Sequence, residues 1–163
     1  MNSEIEIELF EEHENVNFYT LRFLGEDTEV DKFLDKFPEG CEYDEDIDII
    51  IKWIDEIGER GALERHFRPE GKKSDYVWAI PIETCKLRLY VIRLSDEILI
   101  LGNGGIKTTR TYNEDLNLNE CVELLQTIDG YIKSRIRKGT IQVYGKQIFG
   151  KTTFHLKSKD DEK

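Results

Sequence analysis

Nine basic side chains, Arg65, Arg68, Lys72, Lys73, Lys86, Arg88, Arg93, Lys107 and Arg110, fall within 46 consecutive residues of this 163-residue chain, with Tyr90 among them and Tyr112 two residues beyond. Arginine and lysine grip phosphates and can stabilise the added negative charge of a pentavalent phosphorane. Tyrosine offers a face on which a base can stack. Spacing decides which of these groups can act together. In KLRLYVIRL, residues 86–94, Leu87, Leu89 and Val91 alternate with Arg88, Tyr90 and Ile92, so Arg88 and Tyr90 share one face of a strand. The next apolar run, EILILG (97–102), passes through Asn103-Gly104-Gly105 into Lys107, Arg110 and Tyr112. Neighbouring strands lie ~4.8 Å apart, so these side chains can converge on one sheet surface. Arginines on an exposed sheet face could equally serve solubility or pair with acidic groups elsewhere.

Other chemistries fit the spacing less well. A phosphate cradle of the GxxxxGK type needs lysine directly after the last glycine and a helix behind it. Here Ile106 intervenes, and TTRTYNED is not a helical pattern. A GxGxxG fingerprint fails because position 107 is lysine. Asn103-Gly104-Gly105 is expected instead to supply positive φ for a turn or bulge at the strand end. His13, His66 and His155 are scattered, and Cys41, Cys85 and Cys121 form no CxxC. No metal site, cofactor, disulfide or nucleophilic triad is expected, and the thiols are read as free and reduced.

The elements that would position the basic residues follow from periodicity. Ile5, Ile7 and Leu9 alternate with glutamates, and FYTLRFL (18–24) is aromatic-rich, which predicts a strand pair. Thr28 opens a short helix with Val30, Phe33, Leu34 and Phe37 on one stripe, ending at Pro38-Glu39-Gly40. DEDIDIIIKWIDEIGERG (44–61) predicts a longer helix with Asp44 as N-cap and Ile47, Ile50, Ile51, Ile54 and Ile57 facing the core. Strands over 77–82, 86–94 and 97–102 form a meander, the last two joined at Ser95-Asp96. A helix over 116–139 and one or two terminal strands complete the chain. The fold class expected is α+β, an antiparallel or mixed central sheet with helices packed on one face.

Charge is unevenly distributed. The net charge is −11, yet residues 1–60 carry 20 acidic and 5 basic side chains, and residues 61–163 carry 14 acidic and 18 basic. The acidic third is either a solvated face or a segment that competes for the basic surface behind it. No stretch approaches the ~20 apolar residues of a membrane span, and the acidic start MNSEIEIELFEE is unlike a secretory signal. A cytoplasmic location without membrane contact is expected.

The order of elements from about residue 44 to 115 resembles the RelE/ParE/HigB-like toxin superfamily of phages and toxin–antitoxin operons. The residues that carry the resemblance are Gly61-Ala62-Leu63, Lys86-Leu87-Arg88-Leu89-Tyr90-Val91-Ile92-Arg93-Leu94, Ile98-Leu99-Ile100-Leu101-Gly102 and Gly105-Ile106-Lys107-Thr108-Thr109. Length and composition fit a single domain over 1–163, and the resemblance divides it. Within it, a RelE-like core (41–115) carries an acidic N-terminal addition (1–40), a C-terminal helix with strands (116–156) and a tail (157–163). The resemblance also implies a metal-independent mRNA endoribonuclease with no cofactor. Arg88, Lys107, Arg110 and Tyr112 would be its catalytic groups, and Lys86, Tyr90, Arg93 and Arg68 would bind substrate. Its partners would be a cognate antitoxin and RNA or the ribosome. Two other functions stay open: a non-catalytic protein-interaction module using the sheet or the acidic segment, and a ParE-like inhibitor of a DNA-handling enzyme.

Overall fold

A computed structural model describes residues 2–63, 68–69, 77–80, 86–107 and 116–157. In chain order the elements are β1 (Asn2–Glu12), β2 (Asn17–Phe23), α1 (Glu29–Asp35), α2 (Asp44–Arg60), β3 (Arg68–Pro69) and β4 (Val77–Ala79). They continue with β5 (Leu87–Ser95), β6 (Ile98–Ile106), α3 (Leu116–Lys138), β7 (Ile141–Tyr144), β8 (Gln147–Gly150) and β9 (Thr153–Lys157). The described strands form a seven-stranded sheet of order β3-β4-β5-β6-β2-β1-β9 and a separate β7–β8 hairpin. β2 and β6 run parallel, while the other sheet pairings are antiparallel. The class is α+β with a mixed sheet.

The helices divide between the two faces of this sheet, a correction to the expectation that they share one. The central strands are apolar on both sides, which forces a cover on each. Leu87, Leu89, Val91, Leu99, Leu101 and Phe18 form one core with α1 and α2. Tyr90, Ile92, Ile98, Ile100, Tyr19 and Leu21 form the other beneath Leu118, Val122, Leu125, Ile128 and Ile132 of α3.

Thr28 caps α1 by accepting a hydrogen bond from the Asp31 amide at 3.2 Å. At α2 the N-cap position is Tyr43, which makes no side-chain cap bond, and Asp44 is the first helical residue. The Asp44 carboxylate accepts instead from the Gly40 amide at 3.1 Å. Of the isoleucine stripe, Ile47, Ile50, Ile54 and Ile57 are buried, while Ile51 stays 44% exposed. Gly61, at φ 105°, turns the chain off α2. Among the described residues no helix is long and apolar enough to cross a membrane.

The acidic N-terminal segment is woven into this architecture. β2 lies between β1 and β6, and Ile5, Phe18 and Leu21 have no exposed surface. The glutamates of β1 pair locally. Glu8 meets Arg22 at 2.6 Å, and Glu6 accepts from the hydroxyls of Thr152 and Thr153.

Three register shifts interrupt the ladders, one of them on β5 between Arg93 and Ser95 at the β5–β6 turn. On β1, Leu9 pairs with Tyr19 and Glu11 with Phe18, so Phe10 is an inserted residue. On β6, Gly104 pairs with Leu89 and Leu101 with Val91, so Gly102 and Asn103 both oppose Tyr90. A β-bulge of this kind transfers every residue beyond it to the other face of the strand.

Candidate functional site

Three of the expected cationic side chains come together at the far end of the β5–β6 ladder. Arg88 pairs across the strands with Gly105, and a hydrogen bond from the Lys107 amide to the Lys86 carbonyl, at 2.8 Å, extends the ladder by one more step. Lys86, Arg88, Gly105 and Lys107 therefore share the α3 face. A Cβ on Gly105 would stand 3.0 Å from Asn117 Nδ2 and 3.4 Å from Leu118, which puts the first turn of α3 beside Arg88. Lys86 is exposed and Lys107 half-buried, whereas Arg88 is only 9% exposed. Its Nη1 donates weakly to the Leu87 carbonyl at 3.4 Å. Its Nε is buried and has no hydrogen-bond partner among the described residues.

The glycines serve this arrangement differently from what their spacing suggested. None of residues 102–105 has positive φ, and all lie inside β6. A bulge is present, as the glycine-rich stretch predicted. Gly104 is required by close approach: a Cβ there would come within 2.8 Å of the Arg88 carbonyl carbon and nearer still to its oxygen.

The remaining expected site residues are placed elsewhere. Tyr90 shares the face of Arg88 but is 1% exposed in the core under α3, so it is not a surface platform for a base. Arg93 pairs with Leu99 and points to the α2 side, five residues along β5 or ~17 Å from Arg88. There its Nε donates to the Ala62 carbonyl at 2.6 Å and its guanidinium pairs with Asp96. That bond fastens the end of α2 to the β5–β6 turn. Arg68 lies on the edge strand β3, in register with Ala79. Arg110 and Tyr112, with Arg65, Lys72, Lys73, His66 and Cys85, lie outside the described residues. Among the described residues, neither Cys41 nor Cys121 is in a disulfide. The acidic segment does not overlie Arg88, since α2 packs on the opposite face and β1 stands three strands, ~14 Å, from β5.

A second constellation, absent from the sequence reading, lies on that opposite face. Glu11, His13 and Asp55 each offer one potential ligand atom, all within 4.8 Å of one another. Glu11 Oε2 is 2.8 Å from His13 Nε2. The bulge at Phe10 creates the group: continued alternation would send Glu11 to the side of Ile5 and Ile7, and the inserted residue turns it toward α2 beside Phe18. The imidazole is seated against Gly58 of α2, where a Cβ would fall 2.6 Å from His13 Cβ and closer to Cγ and Nδ1. Its ring meets Phe18 edge-on, centroids 5.0 Å apart. The loop that carries it is tied down. Lys146 donates to the His13 and Glu14 carbonyls at 2.9 and 3.2 Å, and the Asn15 amide donates to the Gly58 carbonyl at 2.9 Å. Glu11 and Asp55 also line a cavity of 120 Å³ with Phe10, Val30, Leu34 and Ile50. The signals available in the sequence were the Glu11-x-His13 spacing and a glycine inside an otherwise regular helix.

Comparison of the chain with protein-family models, with curated proteins and with solved structures finds no match.

Proposed function

We propose that this is a toxin-like protein that binds RNA at the end of the β5–β6 ladder and cleaves it without metal, in the cytoplasm and under the control of an antitoxin. The observation that supports this function is Arg88, a guanidinium nine-tenths buried with an unpartnered Nε. A buried donor left unsatisfied costs about 1–3 kcal/mol, more when charged, and a phosphate oxygen is the kind of acceptor that would relieve it. Lys86 and Lys107, on the same face, add positive potential where a phosphodiester would lie. In the reaction a ribose 2′-hydroxyl gives its proton to water as its oxygen attacks the adjacent phosphorus, and the bond to the 5′-oxygen breaks as that oxygen takes up a proton, leaving a 2′,3′-cyclic phosphate and a 5′-hydroxyl. Arg88 and Lys107 hold the phosphate and balance the charge gained in the phosphorane. Arg110 adds a further cation, and Tyr112 stacks on a base or assists the proton transfer to the leaving oxygen.

Induced expression in bacteria tests this. Wild-type protein should arrest growth with loss of mRNA, and Arg88→Met or Lys107→Ala should abolish both while the protein remains folded by circular dichroism. Absence of toxicity, or toxicity indifferent to these changes, refutes it, and arrest with intact mRNA favours inhibition of a DNA-handling enzyme. One feature supports a non-catalytic alternative: the outer surface of α2 exposes Glu45, Asp48, Glu56 and Glu59 around Ile51. That surface suits a basic protein partner, whose binding Asp48→Lys with Glu56→Lys would abolish.

A further inference from the structure

We propose that Glu11, His13 and Asp55 form a site for a divalent transition-metal ion of the zinc class, on the sheet face opposite the basic end of β5–β6. Imidazole nitrogen and carboxylate oxygen are both zinc ligands, at ~2.0–2.2 Å, and tetrahedral ligands at that distance stand ~3.4 Å apart. Ligand atoms already within 4.8 Å of one another reach that arrangement by side-chain rotation alone. The 2.8 Å contact between His13 and Glu11 engages two of the three groups, and Asp55 stands beside them as a third donor of the same ligand class.

The scaffold around the three ligands is fixed before any ion arrives. The bulge at Phe10 aims Glu11, Gly58 makes room for the imidazole, and Phe18 holds the ring edge-on. Lys146, from the β7–β8 turn, and Asn15 hold the loop between β1 and β2 against movement. The Nδ1 side of the ring faces α2 and Nε2 faces Glu11, so Nε2 is the nitrogen presented for ligation. Three protein ligands are one fewer than a closed structural zinc site has, which leaves a coordination position for water or an exogenous oxygen ligand. Because Glu11 and Asp55 also line the apolar cavity, that position belongs to the rim of a pocket able to hold a small apolar group. The site does not depend on the RNA-cleaving function proposed above, and no residue is shared between them.

The experiment is calorimetric titration of the chelator-stripped full-length protein with zinc chloride, in a background with Cys41, Cys85 and Cys121 all changed to serine. One ion should bind per chain and raise the thermal unfolding midpoint. Asp55→Asn and His13→Gln should each weaken binding by about tenfold or more, since even outer-shell partners of a metal are worth that much. Arg88→Met should leave binding unchanged, and a large excess of magnesium should not displace the zinc. Where His13→Gln unfolds the chain by loss of its packing on Phe18, the exposed Asp55→Asn variant decides. Failure to bind one ion saturably, binding indifferent to Asp55→Asn, or binding that vanishes with the cysteines overturns the proposal.

Discussion

Gly58 in α2 and Gly130 in α3 are both helical and both outside the left-handed region, so changing each to alanine adds the same methyl in two different surroundings. Alanine is favoured over glycine in a helix by roughly 0.5–1 kcal/mol. At Gly130 the new methyl meets no described atom within 4 Å, so Gly130→Ala should stabilise the protein by about that amount. At Gly58 the methyl would lie 2.6 Å from His13 Cβ and closer still to Cγ and Nδ1. These atoms are at the root of the side chain, and they cannot swing away unless the loop moves. The loop is held by His13 to Val16 and Asn15 to Gly58 backbone bonds, each 2.9 Å, and by the Lys146 ammonium. Overpacking of this kind costs about 1–3 kcal/mol, which outweighs the helical gain and leaves a net loss on the order of 1 kcal/mol. Urea unfolding with a common m-value should therefore move the two midpoints in opposite directions. Zinc affinity should also fall in Gly58→Ala, although no ligand has been removed. If Gly58→Ala stabilises as much as Gly130→Ala, the imidazole is not seated on α2 and the reasoning about that site fails.

Gly104→Ala would force a methyl into the Arg88 carbonyl of the neighbouring strand, where only backbone movement can relieve it; a loss of about 3 kcal/mol is expected in thermal or urea unfolding. Arg88→Met replaces a buried guanidinium by an unbranched apolar chain, and should leave stability unchanged or raise it by about 1 kcal/mol while toxicity is lost. A loss above about 2 kcal/mol would make Arg88 a structural residue instead. Lys32→Met strips the buried Glu29 carboxylate of the ammonium 2.9 Å away, which should cost about 2 kcal/mol near neutral pH. Burial alone would lower the Lys32 pKa, but hydrogen bonds and charges from Glu26 and Glu29 outweigh it and raise the pKa above the usual lysine value. The stabilisation is thus complete below the usual lysine value and is lost as pH rises through the raised one, a decline that the Lys32→Met protein should lack.

Local pattern made most of the elements legible. Ile5 and Ile7 against Glu4, Glu6 and Glu8 read directly as β1, and Ile47, Ile50, Ile54 and Ile57 as the buried stripe of α2. What a single strand could not reveal was its cover. Alternation correctly put Arg88 and Tyr90 on one face, but a buried face and a solvated one have the same period, and only the docking of α3 distinguishes them. Arg93 was expected to bind substrate, and its acceptor, the Ala62 carbonyl, lies 31 residues earlier, beyond any local pattern. The parallel pairing of β2 with β6 and the closure of β1 by β9 are likewise long-range choices, set by which apolar faces can be buried together.

Two of the register shifts put Lys107 and Glu11 on faces that strict alternation along their strands does not assign them. Counting by twos from Ile98 and Ile100, Gly102 faces α3, as its approach to Leu125 shows, and Gly105 and Lys107 should then face α1 and α2. The extra residue opposite Tyr90 reverses this and delivers Gly105 and Lys107 to the side of Arg88. Asn103, freed at the bulge, turns instead to α1, where the Lys36 ammonium donates to its side chain at 3.0 Å and to the Gly104 carbonyl at 2.9 Å. On β1 the extra Phe10 does the same for Glu11, moving it from the α3 side to meet His13 and Asp55. In each case a single inserted residue moves a charged group off the face that its own strand pattern assigns and beside partners from another element. A bulge costs ladder hydrogen bonds and is found where a side chain must be re-aimed. That two of the three bulges in this sheet end at a cluster of charged or ligating groups is the strongest structural reason to look for function at those two places.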